Sequence, residues 1–109
     1  MTRTANVAAL RWSAAAATRV IRERAADSNK VTVTDHAQQR MEERGITLDD
    51  VLGILRQGHV YLTPRKNERS EWQAEMERRM PGGRDAAVVT VVPRRSGLIV
   101  RTVMWRDER

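Results

Sequence analysis

The sequence predicts an α+β fold, with N-terminal helices packed on one face of a small twisted antiparallel sheet. Three observations predict it. Apolar residues recur at helical intervals over residues 1–26 and again from Leu48 to Leu55. Valine-rich segments that alternate or run continuously apolar fill the chain from Trp72 to Trp105. Two turn sequences, Pro81 to Asp85 and Arg94 to Gly97, divide that stretch at the short spacing of a meander.

The first helix spans residues 1–26, with Val7, Leu10, Ala14, Ala17 and Ile21 along one face and Arg11, Arg19, Arg22 and Arg24 mostly off it. Alanine buries little area, so this helix is expected to be weakly held. It reads as an accessory element over residues 1–28, packed on the domain or docking to a partner, and its lack of acidic residues before Glu23 also resembles a transit peptide. A single domain then occupies residues 29–109. Asp27 to Asn29 make a turn, and the β-branched segment Val31 to Thr34 is a short strand.

Thr34 or Asp35 caps the next helix and Gly45 ends it. Thr47 and Asp50 form a variant capping box for a further helix, whose apolar stripe Leu48, Val51, Leu52 and Leu55 runs on to Gly58. His59 to Thr63 is a possible short strand stopped by Pro64 and a polar run. From Ser70 to Met80 helix propensity competes with a period-two pattern, in which Trp72, Ala74 and Met76 alternate with glutamates, and the pattern favours a strand. Ala86 to Val92 is a buried strand, Leu98 to Trp105 the last one, and Arg106 to Arg109 a frayed charged tail.

Composition narrows the chemistry. With 109 residues there is room for one core. Cysteine is absent, which excludes disulfides, thiolate metal sites and a cysteine nucleophile and fits a cytoplasmic protein. No apolar run approaches the roughly 20 residues that span a bilayer. The net charge is +6, and arginine supplies nearly all the cations. Guanidinium groups grip phosphate in a fork and stack on bases, so this surface suits a polyanionic partner; a GC-rich genome writes the same arginines and alanines. Metal-ligand spacings and glycine-rich phosphate loops are absent, and no cofactor is expected.

His36, Arg40 and Arg44 fall at i, i+4 and i+8 along one helical stripe. An imidazole to move a proton, guanidinium groups to hold phosphate and a hydroxyl from Thr102 or Tyr61 would suffice for metal-independent RNA cleavage. A histidine in a first helical turn also serves as a cap or core-edge residue. Trp72, Arg101 and Trp105, with neighbouring arginines, are candidates for the sheet face left open by the helices, and together with Tyr61 they are the candidate nucleic-acid contacts. His59 follows a helix C-terminus, where a cation suits the carbonyl ends.

The run HAQQRMEERGIT from His36 to Thr47, followed by Asp50, Val51 and the strand Val100 to Trp105, resembles the DUF4258 family over about residues 31–106. That resemblance implies a distant likeness to the RelE, BrnT and MqsR toxins, small basic ribonucleases built of helices on an antiparallel sheet. On it His36, Arg40, Arg44 and Thr102 match the motif positions, while Trp105 stands where related sequences often carry tyrosine. The function it implies is a ribonuclease toxin restrained by an acidic protein antitoxin. A non-catalytic binding module of the same fold, ParE-like or a phage or mobile-element accessory protein, is the alternative.

Overall fold

The computed structural model describes residues 12–108; the part of the first predicted helix before Trp12 lies outside them. Three helices begin at hydroxyl caps. Ser13, Thr34 and Thr47 stand in extended backbone and accept from the N–H groups of Ala16, Ala37 and Asp50, starting α1 (Ala14–Ala25), α2 (Asp35–Arg44) and α3 (Leu48–Gln57). The Asp50 carboxylate accepts in turn from the Thr47 N–H at 3.0 Å, closing the expected capping box. Gly45 ends α2 at φ 68°, a left-handed conformation that costs glycine little.

Among the described residues there are six strands: β1 (Val31–Val33), β2 (His59–Val60), β3 (Arg65–Lys66), β4 (Trp72–Arg79), β5 (Asp85–Val92) and β6 (Leu98–Trp105). They form one sheet in the order β1-β6-β5-β4-β2, with β3 also paired to β4. The β4–β5–β6 meander is antiparallel as expected. The edge strand β1 lies parallel to β6, so the sheet is mixed. β3 arises within the polar run after Pro64, where pairing to Gln73 and Trp72 rather than composition makes a strand.

All three helices share one hydrophobic cluster with Met76, Val88, Leu98, Val100 and Val103, which places them on one face of the sheet. Helix α1 belongs to that cluster through Ala17, Ile21 and Ala25, each fully buried. What its alanines lack in area, hydrogen bonds supply. Arg22 donates to the Gly58 carbonyl at 2.7 Å, Arg56 donates to the Ala25 carbonyl at 2.7 Å, and the Val60 N–H donates to Thr18 Oγ1 at 2.9 Å. Each of α1 and α3 thus has its terminal carbonyls closed by an arginine of the other.

A bulge in β6 decides which side chains face which way. Val89 pairs with Thr102 but Thr90 pairs with Val100, leaving Arg101 as the extra residue. Beyond it the alternation inverts, so Val103 and Trp105 join Leu98 and Val100 on the helix side while Thr102 and Met104 turn to the other face, where no helix of the described residues packs.

Candidate functional site

Helix α2 presents the predicted row, and the structure uses two of its three members as braces. Arg40 is ion-paired to Glu43, one turn on. Arg44 donates to Glu108 at 2.8 Å and lies 3.6 Å from Glu43, tying the helix to the C-terminal 3₁₀ turn Arg106–Glu108. His36 is exposed and has no hydrogen bond to the described residues. The cavity beside α2 opens on the other flank, against Gln38 and Met41. Thr102 faces the opposite side of the sheet, so the four proposed catalytic residues do not meet at one place.

The tryptophans are also on the helix side rather than on the open face. Trp72 shares the parity of Ala74 and Met76, packs against Trp12 at 5.8 Å between ring centroids and carries the Lys66 ammonium at 5.4 Å. Trp105 packs on the core and donates from Nε1 to the Arg44 carbonyl at 2.9 Å. Its N–H donates to Glu108 and its ring lies under Arg84, 4.3 Å away. Arg84 is held in a fork by Asp107 at 2.8 and 3.0 Å. The Arg84 hydrogen bonds hold the Asp107 carboxyl below its ordinary range, and Arg44 with the Trp105 N–H does the same for Glu108. Asp107 in turn raises Arg84. The expected frayed tail is a clasp up to Glu108, because its charges find fixed partners.

The open face holds a different constellation. Register places His59 of β2 directly across from Glu77 of β4, and the two side chains meet at 3.2 Å between Nε2 and Oε2. Glu77 also accepts from Arg106, the residue after β6. The Arg106 guanidinium stacks 4.2 Å over the ring of Tyr61. Tyr61 Oη and Arg106 Nε are shielded from solvent yet have no hydrogen-bond partner among the described residues, a condition folded proteins seldom leave unmet. Glu77 is 16% exposed and His59 62%, so the carboxylate is sheltered while the imidazole reaches solvent.

Arg101 and Thr102 lie farther along this face. Arg101 donates to Gln73 at 3.0 Å and approaches Glu68 at 3.9 Å, about 14 Å of β4 away from Glu77. Of the residues named for the open face Arg101 is there, and Tyr61 and Thr102 lie on the same face. Sequence reading assigns His59 a helix-terminus role and places neither Glu77 nor Arg106 in a site. Glu77 was legible only as one of several outward glutamates, and nothing short of strand register sets it opposite His59.

Among the described residues no cluster of histidine, aspartate and glutamate has the composition of a metal site, and no helix is long and apolar enough to cross a membrane.

Comparison with known proteins finds one family, described as Domain of unknown function (DUF4258), whose model matches residues 33–105. No curated protein and no solved structure matches the chain. The family match includes α2, α3 and the whole meander but ends one residue short of Arg106.

Proposed function

Since the chain belongs to the DUF4258 family, whose description assigns no reaction, we propose from geometry that it cleaves RNA without metal at the His59–Glu77–Arg106–Tyr61 cluster. The carrying observation is a sheltered carboxylate shared between an exposed imidazole and a guanidinium on the helix-free face. In the proposed reaction Glu77 takes the proton from a ribose 2′-OH. The 2′ oxygen then bonds to the adjacent phosphorus, the bond from phosphorus to the 5′ oxygen breaks, and protonated His59 gives that oxygen its proton. Arg106 balances the charge on the non-bridging oxygens, and Tyr61 holds the guanidinium flat beneath them. The products are a 2′,3′-cyclic phosphate and a 5′-hydroxyl.

The net charge of +6 supports a polyanionic substrate, and the resemblance to RelE-, BrnT- and MqsR-type toxins supports a cytoplasmic toxin whose acidic antitoxin covers the open face. Incubation of the purified chain with RNA in EDTA tests the reaction. Fragments ending in cyclic phosphate are expected, with cleavage falling about a hundredfold or more in Glu77→Gln and His59→Ala and unchanged in His36→Ala. Cleavage that ignores Glu77→Gln and His59→Ala overturns the site. Salt-sensitive RNA binding with no product would make the chain a non-catalytic module.

A further inference from the structure

On the helix side, α2 and α3 diverge over β1 and leave an apolar groove of about 270 Å³. Val31 and Val33 line it from the strand, Gln38 and Met41 from α2, Leu48 and Leu52 from α3. Leu48 is 51% exposed, one of two large apolar side chains so open among the described residues. The groove adjoins a bare sheet edge. In a parallel pair alternate residues turn both backbone groups to the neighbour, and the Thr34 N–H donates to the Val100 carbonyl. Thr32 and Thr34 therefore face β6, and Val31 and Val33 face outward. The Val31 N–H is taken by the Ser28 carbonyl, and among the described residues no further strand pairs with the Val31 carbonyl or the backbone groups of Val33, which leaves them to an added one.

Charge narrows what fits there. Asp35 and Glu42 lie one turn either side of Gln38 on α2, and Asp49 lies one turn before Leu52 on α3. Asp35 and Asp49 also suit the first turns of their helices, whereas Glu42 lies in the last turn of α2, where a carboxylate gains nothing from the helix dipole. In a chain of net charge +6 this rim is locally negative. A second copy of the chain would set carboxylates against carboxylates across a two-fold axis, which disfavours self-association.

We propose that the groove and the free edge of β1 dock an extended peptide, added as a seventh strand beside β1, in which every second side chain faces the helices and an aliphatic residue at one such position is flanked two residues away by lysine or arginine. The aliphatic side chain enters between Met41 and Leu48, and the cations meet Glu42 and Asp49. This surface lies across the sheet from His59 and Glu77, so an occupant leaves that cluster open. It is a recruitment surface, independent of the reaction proposed above.

Selection of short random displayed peptides against the full-length chain tests the proposal. Enriched sequences are expected to carry an aliphatic residue with lysine or arginine two positions to either side and to slow hydrogen exchange at the Val33 amide. Their affinity should fall about tenfold or more in Leu48→Glu and in Glu42→Lys and be untouched by His59→Ala. Because Leu48 and Glu42 are exposed, both variants should keep the wild-type circular dichroism. An acidic consensus, no enrichment, or binding indifferent to Leu48→Glu overturns the proposal. So does a wild-type dimer in sedimentation that Leu48→Glu splits, which would assign the groove to a second copy.

Discussion

Gly58 shows how much one residue can decide. Its φ of −80° is open to any amino acid, so its role is not conformational freedom. A Cβ there would stand 2.4 Å from the Glu77 carbonyl oxygen and 2.5 Å from that of Ile54, both backbone atoms that cannot swing away. The bare α-carbon therefore lets β2 close on β4 and brings His59 to Glu77. Gly58→Ala is expected to lower stability by about 2 kcal/mol, the cost of overpacking a tight contact, and to lose RNA cleavage together with it. Urea unfolding checks the first; a variant as stable as wild type would show that the approach is looser than the geometry states. The sequence marked Gly58 as the end of a helix, which it is, but the nearby strand that requires glycine is invisible in a one-dimensional pattern. The same limit applies to Arg44. Its place on the His36 stripe was legible, but its partner Glu108 is 64 residues away.

At the scale of elements, the α2 and α3 caps, the meander and the strand over Trp72–Arg79 were legible because capping chemistry and period-two alternation are local. The bulge at Arg101 was not. It shifts Trp105 to the helix side and Thr102 away from it, and no turn residue or glycine announces it. With Trp105 on the helix side, the C-terminal clasp becomes possible. The folded-state carboxyls of Asp107 and Glu108 lie below their ordinary values of 3.8 and 4.5. A lowered folded value means that the unfolded chain binds protons first, so their contribution is present above the ordinary values and is lost as pH falls through the lowered ones. The urea midpoint of wild type should exceed that of the Asp107→Asn, Glu108→Gln double variant at pH 7, and the gap should narrow steadily below about pH 4. A gap that stays constant down to pH 2 would mean that the carboxylates act through shape rather than charge. Helix α1 is a second test at this scale. Ile21 is fully buried in the shared cluster, and Ile21→Ala is expected to cost about 2–5 kcal/mol in unfolding free energy, whereas an accessory helix resting lightly on the domain would cost far less.

Over the whole molecule, the arginine count misstates the charge available to RNA. Arg22, Arg24 and Arg56 close backbone carbonyls, and Arg40, Arg44, Arg79, Arg84 and Arg106 are paired to carboxylates. Arginine's fork geometry serves these scaffold roles as well as it serves phosphate, which is why composition alone could not separate the two. Among the described residues, several exposed guanidinium groups without such partners lie near one end of the sheet. Arg94 and Arg95 sit in the β5–β6 turn, and Trp72 of β4 pairs with Val92 just before it and with Lys66 of β3, which places Arg65 at the same end. Glu77 lies five residues along β4, about 17 Å away, so RNA entering at the basic end can run along the open face past Arg101 to the proposed cluster. Each phosphate neutralised on a single strand adds about 0.7 to the steepness with which log affinity falls against log salt. The Arg94→Ala, Arg95→Ala double variant is therefore expected to weaken RNA binding across sequences and to flatten that slope by about 1.4, while the cleavage rate at saturating RNA stays near wild type. Glu77→Gln should do the reverse, sparing the slope and removing the cleavage. An unaltered slope in the arginine variant, measured by fluorescence anisotropy across a salt series, would mean that RNA reaches the cluster by another route or not at all.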